Sequence, residues 1–175
     1  YGKLGGKEMG YSSDLDLVFL YEDEDPDAGG NYVRLAQRML AWLSSRTSAG
    51  SLFDTDTRLR PNGESGQLVS SLAAFRQYQQ ESAWEWEHQA ISRARFVAGD
   101  PEIGKQFEAV RQQILCAPRE LDKLANEIIA MRRKMLDQHA SHDGSFAVKN
   151  DPGGLIDFEF TIQYLVLGYA RQHPE

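Results

Sequence analysis

The chain has 175 residues, 41% of them hydrophobic and 10% aromatic, with one cysteine and a formal net charge of −7. That length suits one domain, or one domain with an appended helical subdomain, and supports a core without covalent staples. The acidic balance argues against nonspecific binding to a nucleic-acid backbone, which runs on Lys and Arg, while leaving room for a local basic pocket that takes a nucleotide.

No apolar stretch approaches the ~20 residues of a membrane span, and no signal peptide opens the sequence. The lone Cys116 makes no internal disulfide, in keeping with a reducing cytoplasm. The chain starts at Tyr1-Gly2, inside what reads as an active-site loop, and stops at Pro174-Glu175 just after a helical pattern. It is therefore expected to be a fragment of a longer protein.

Residues 2–13 read as a Gly- and Ser-rich loop. Asp14 to Tyr21, DLDLVFLY, is the apolar run of a strand buried on both faces. Its two aspartates stand two apart, so both side chains point to one side. An acidic loop runs from Glu22 to Gly30. From Tyr32 to Ser44, Val33, Leu35, Ala36, Met39, Leu40 and Leu43 recur at helical spacing. Gly50 marks a stop, and Ser51 to Thr57 reads as a second strand carrying Asp54 and Asp56. Asn62-Gly63 is a turn. Ser71 caps a predicted helix through Gln80, and another spans Ala83 to Ala94 with Trp84, Trp86 and His88. Asp100-Pro101 starts a helix to about Leu115, and Pro118 opens one to about Gln138. A polar region from His139 to Pro152 precedes a helix over Leu155 to Ala170. The order predicts a mixed α+β front and a helical rear.

The leading chemical feature is Gly5-Gly6, then Asp14 and Asp16 on one strand, then Asp56 on a later one. Carboxylates at buried strand ends lose hydration, a cost that divalent cations remove. Hard oxygen ligands suit Mg²⁺, with Mn²⁺ as a substitute, and two such ions can activate an attacking oxygen and stabilise a leaving pyrophosphate. An isolated DxD is more often a turn cap and a strand-edge residue; the double glycine and the second acidic strand reverse that balance. Asp54 competes for the third position, and Asp56 is preferred because it shares a strand face with Arg58 and Arg60, which can reach a nucleotide's phosphates.

Asp157 and Glu159 stand two apart near the start of the last helix, so they do not share a face. The helix dipole alone accounts for carboxylates there; the functional alternative is that one, Asp157 in preference to Glu159, reaches the metals or the nucleotide. Lys149 is a partner for these carboxylates or for phosphate, or a solvated lysine. Gly2 to Lys7 is not a P-loop, because Glu8 follows Lys7 where Ser or Thr is required. Asp23, Asp25 and Asp27 lack the glycine and glutamate of a calcium loop, having Ala28 and Arg34 there. His139 and His142 have no further ligand to join them. Trp84 and Trp86 cannot share a helix face; one is expected in the core and the other over a domain junction. Cys116 has no charge cluster to activate it.

YGKLGGKEMGYSSDLDLVFLY resembles the signature of the nucleotidyltransferase superfamily and, within it, that of the glutamine synthetase adenylyltransferase family. The likeness continues through LFDTDTRLRPNGESG, WEWEHQAISRARFVAGD and DPGGLIDFEFTIQYLVL, so it spans nearly the whole chain in order. It implies an α+β nucleotidyltransferase core with a mixed β-sheet flanked by helices over residues 1–115, and a helical subdomain over 116–175. It implies that Asp14, Asp16 and Asp56 bind the metal, and that ATP donates AMP to a tyrosine of glutamine synthetase. In that reading Gly5, Gly6 and Ser12 or Ser13 receive the triphosphate. A PII-type signalling protein and glutamine would regulate the full-length enzyme. The family carries two related halves, one attaching AMP and one removing it. Gly10-Tyr11, Leu15 between the aspartates and the WEHQA run favour the attaching half. The alternatives are the removing half, which uses phosphate, and a non-catalytic module that docks glutamine synthetase or its regulators.

Overall fold

A computed structural model describes residues 1–139 and 146–173, the His139 side chain excepted; the reading of His139 and His142 as surface residues without a further metal ligand falls outside the described residues. Among them the order is α1 (Gly2–Gly6), β1 (Leu15–Asp16), β2 (Phe19–Tyr21), α2 (Gly29–Leu43), β3 (Thr55–Asp56), a 3₁₀ turn (Gly63–Ser65), β4 (Val69–Ser71), α3 (Leu72–Glu81), α4 (Glu85–Ser92), α5 (Pro101–Leu115), α6 (Leu121–His139) and α7 (Leu155–Tyr169). The fold is mixed α+β, as expected, with short parallel strands. No helix among the described residues is long and apolar enough to cross a membrane.

The strand predicted from Asp14 to Tyr21 is divided. β1 pairs β3 in parallel, Leu15 with Thr55 and Asp16 with Asp56, whereas β2 pairs β4, Phe19 with Val69 through Tyr21 with Ser71. One extended stretch thus serves two partners in turn. Its residues are half-buried and not fully enclosed, so the apolar run overstates the burial. The second predicted strand contracts to Thr55–Asp56.

The chain forms two compact units, Tyr1–Ala83 with Arg93–Arg111, and Trp84–Ser92 with Gln112–Glu175. The division anticipated at residue 115 runs continuously along the sequence; here α4 groups with the rear helices. In the first unit, α2 and α3 pack on β2 and β4 around Ala36, Val69, Leu72 and Phe75. Leu72, Phe75 and Gln79 supply the buried stripe of α3 at i, i+3 and i+7. Phe75 meets the Phe107 ring at 5.9 Å between centroids. Ser71 caps α3 as predicted, its side chain accepting from the Ala74 N–H at 3.2 Å. Asn62 and Gly63 both adopt left-handed backbone, φ 61° and 56°, which the turn requires.

In the second unit α4, α6 and α7 contact one another around Ile91, Leu124, Ile128, Ile156 and Leu167. Neither tryptophan enters this core: Trp84 is 70% exposed and Trp86 37%. The reason is the start of α4. Glu87 reaches back to the Trp84 N–H at 2.9 Å, the acidic half of a capping box, and this draws Glu87 inward, leaving Trp84 outside the helix.

An ionic network fixes the same first turn of α4. The Arg119 Nε donates to Glu85 at 3.1 Å, its Nη1 to the carbonyls of Leu115 and Ala117, and its Nη2 lies 3.1 Å from His88 Nδ1. Hydrogen bonding from His88, opposed by burial and reinforced by Arg119, brings the Glu85 carboxyl from 4.5 to about 2. Because the folded-state value lies below the unfolded one, the stabilisation is complete above about pH 5 and is lost as pH falls towards 2. It amounts to something on the order of 2–3 kcal/mol at neutral pH. Glu85→Gln is expected to lower stability at pH 7 and to flatten its decline between pH 5 and 3, as urea denaturation at a series of pH values would show.

Candidate active site

The parallel register of β1 and β3 sets Asp16 opposite Asp56. The backbone holds it there: Leu15 N–H donates to the Asp54 carbonyl at 2.8 Å and Leu17 N–H to the Asp56 carbonyl at 2.7 Å. Neighbouring strands stand ~4.8 Å apart, so two carboxylates are brought face to face. Their surroundings differ. Burial first, and the charge of Asp56 second, push the Asp16 carboxyl above its usual range, with Asp14 adding to the effect. Hydrogen bonds from Arg58 hold Asp56 below its usual range.

Both oxygens of Asp56 are engaged by Arg58. Oδ1 accepts from the Arg58 backbone N–H at 2.8 Å and from Nε at 3.1 Å; Oδ2 accepts from Nε at 2.8 Å and Nη2 at 2.5 Å. Asp16 has no basic side chain hydrogen-bonded to its carboxylate among the described residues. Asp14 is exposed, one residue before β1, and Asp54 is exposed, one residue before β3. In this arrangement no three acidic, histidine or cysteine side chains among the described residues close into a metal cage. Asp16 and Asp56 are brought together, Asp14 is within electrostatic reach, and Asp56 is turned onto its own arginine.

Arg60, expected at the phosphates with Arg58, is a strut of the turn that follows. Its Nη1 donates to the Thr57 carbonyl and hydroxyl at 2.8 and 3.0 Å, its Nη2 to the Glu64 carbonyl at 3.1 Å and its Nε to the Gly66 carbonyl at 3.3 Å. These bonds occupy four of the five guanidinium N–H donors and leave one on Nη2 for a phosphate.

The glycine segment is not the open loop the sequence suggests. Gly2–Gly6 form a helical turn closed by Lys7 in left-handed backbone, and the Gly5 N–H donates to the Tyr1 carbonyl at 2.8 Å. A Cβ on Gly5 would fall 1.8 Å from the Arg93 carbonyl oxygen, so this glycine permits a close backbone approach. Arg95 completes the joint, donating to the carbonyls of Leu4 and Gly5 at 3.0 Å, and Arg93 pairs with Glu8. Ser12 is exposed. Ser13 is buried, its Oγ accepting from the Gly10 N–H at 2.9 Å.

Three residues that frame the site escape sequence reasoning: Gly2, Arg93 and Arg95. The two arginines lie in the RARFVAGD run, and only the folded chain joins them to α1. Gly2 has φ +52°, and a Cβ there would stand 2.1 Å from the Asp16 Oδ2. The Asp16 carboxylate therefore occupies space that only glycine leaves.

The second-tier residues belong to the second unit. Asp157 pairs with Arg132 and accepts the Gly153 N–H at 2.5 Å, while the Arg132 Nη2 donates to the Asn150 carbonyl at 2.8 Å. Its carboxylate oxygens tie α7 to α6 and to the loop before α7. Glu159 is half-buried and Lys149 exposed. A cavity of about 440 Å³ between α6 and α7 is lined by Ile128, Ile129, Phe160 and Tyr164, with Arg132 and Asp157 among its polar groups. It is too apolar for a triphosphate. Two of the three exposed aspartates of the acidic loop cap their own turns, Asp23 accepting from the Asp25 N–H and Asp25 from the Asp27 N–H, each at 2.9 Å.

Residues 1–110 match the glutamate-ammonia ligase adenylyltransferase family. The chain belongs to that family. It is 60% identical over all 175 residues to the bifunctional glutamine synthetase adenylyltransferase/adenylyl-removing enzyme of Nitrosomonas europaea, 61% to that of Aromatoleum aromaticum, and 56% to that of Neisseria meningitidis serogroup A. In the Nitrosomonas and Aromatoleum enzymes the match covers the whole of this chain and 19% of the relative; the chain thus spans about a fifth of their length. The family match includes the strands that carry Asp16 and Asp56 and the α1 turn.

Gly2→Ala is expected to cost about 1–3 kcal/mol, from the left-handed backbone and the collision with Asp16. Since part of the cost is steric and local, it should shrink in an Asp16→Ala background, a coupling that a double-mutant cycle by denaturant unfolding would measure.

Proposed function

We propose that this chain carries the centre that moves AMP from ATP to a tyrosine of glutamine synthetase, the adenylylating activity of the two in its relatives' names. The observation that carries the reading is the in-register opposition of Asp16 and Asp56, with Asp14 close enough to raise Asp16 further. Facing carboxylates, one of them partly buried without a basic hydrogen-bond partner, are an unfavourable arrangement in a protein that does nothing with it.

Asp14, Asp16 and Asp56 would hold Mg²⁺, or Mn²⁺ in its place; the ion would offset the charge of the triphosphate and of departing pyrophosphate. The tyrosine oxygen bonds to the α-phosphorus as the α–β anhydride bond breaks, and the phenol gives up its proton. That proton starts from a pKa near ~10, so a nearby carboxylate assists its removal. Ser12, an exposed hydroxyl on the loop between α1 and β1, and Arg58 would take the phosphates. Gly5 and Ser13 serve by shaping the backbone around Asp16. The leading sequence argument for adenylylation over removal remains the GYSSDLDL run. A PII-type protein and glutamine are proposed to act on the full-length polypeptide in the cytoplasm.

The test uses full-length protein, Mg²⁺ and ATP labelled at the α-phosphate, with unmodified glutamine synthetase as acceptor. Asp16→Asn should reduce labelling by more than roughly 100-fold while phosphate-dependent release of AMP from pre-modified glutamine synthetase persists. Loss of release with labelling intact would assign this centre to removal, and loss of neither would leave a docking module.

A further inference from the structure

We propose that Arg58 is a built-in counter-ion that competes with the divalent cation for Asp56, so that metal and triphosphate bind together and not one after the other. The inference rests on the metal-dependent reading above.

The two ends of the Arg58–Asp56 pair are not alike. The arginine side chain is 70% exposed and the carboxylate 20%. Arg58 can therefore swing into solvent with little desolvation, while Asp56 stays where β3 holds it. The pair joins residues two apart, so its release breaks a local hydrogen-bonded pair within one segment. Exposed pairs of this kind hold weakly, which makes this one a latch that a better partner opens.

A triphosphate is that partner. It offers a guanidinium several oxygens in bidentate geometry with more charge than one carboxylate. A cation arriving alone meets the opposite situation. It needs lone pairs on Asp56 that Arg58 already occupies, and it meets Arg58's positive charge. Asp16, facing Asp56 in register and lacking such a clamp, can begin to bind the cation, with water in the positions that Asp56 and phosphate oxygens would take. When the triphosphate draws Arg58 away, Asp56 is freed at the moment the phosphate oxygens become available as further ligands. The linkage is reciprocal: whatever factor the nucleotide adds to metal affinity, the metal adds to nucleotide affinity. Arg60 differs, since four of its five N–H donors are committed to Thr57, Glu64 and Gly66.

Mn²⁺ binding to the full-length protein, read from the EPR signal of free Mn²⁺, separates the possibilities. The site is defined as the class of Mn²⁺ that Asp16→Asn abolishes. Without nucleotide, Arg58→Ala and Arg58→Gln should each bind this Mn²⁺ roughly 3- to 10-fold more tightly than the parent. The increase in Mn²⁺ affinity caused by α,β-methylene-ATP should shrink in both variants. If both bind Mn²⁺ no more tightly than the parent while Asp16→Asn still removes the site, the counter-ion idea fails and the metal-dependent reading stands. If Asp16→Asn leaves all Mn²⁺ binding intact, the reading fails and takes the inference with it.

Discussion

Two like charges held opposite each other by a parallel β-ladder are the constraint around which the first unit is arranged. At the separation of neighbouring strands, unit charges repel by roughly 1 kcal/mol in water and by 3–4 kcal/mol in a medium of dielectric ~20. Backbone hydrogen bonds on either side of Asp16 and Asp56 fix the register, and a slip of one residue would turn the side chains to the other face. The chain meets the repulsion unequally. Asp56 receives a guanidinium from its own segment, and Asp16 does not. The whole arrangement leaves a single carboxylate, half-buried and facing negative charge, held above its usual range.

The surroundings of Asp16 hold it in that position. Gly2 leaves the volume that the carboxylate occupies, and Tyr1 N donates to the Asp16 carbonyl at 3.0 Å. Gly5 lets α1 rest directly on the Arg93 backbone, and Arg95 closes the joint through two carbonyls. A short helix of five residues has little stability of its own. Its place beside β1 depends on this docking and on the absence of side chains at the contact. The glycines thus serve the site through backbone packing, a different use from the direct phosphate approach that their spacing suggests.

How much of this the sequence discloses depends on the range of the interaction. Local devices are legible: Ser71 as an N-cap, Asp100-Pro101 as the start of α5, and Asn62-Gly63 as a left-handed turn follow from backbone chemistry within a few residues. The period-2 spacing of Asp14 and Asp16 likewise points to a shared face. The division of DLDLVFLY between two partner strands is not legible, because each partner lies tens of residues away and β4 is only three residues long. The conversion of the glycine loop into α1 depends on Arg93 and Arg95, about ninety residues on. Trp84 misleads for a local reason, since a carboxylate three residues later claims its N–H and turns the helix start outward.

Asp157 and Asp56 show what separates a structural acid from one available for chemistry. Both have lowered pKa values and both bind an arginine. Arg132 is itself enclosed, 10% exposed at the side chain, and its Nη2 reaches backbone carbonyls of the loop before α7. Removing its carboxylate would strand a buried charge, the circumstance in which breaking a pair is most costly. Arg58 is exposed and makes its bonds to Asp56 alone among those described, so its departure strands nothing. The carboxylate it leaves behind then faces Asp16 without compensation, which gives a cation its strongest reason to enter. The same two residue types, in the same pairing, make a permanent brace in one unit and a releasable clasp in the other, and the difference lies in the burial of the arginine.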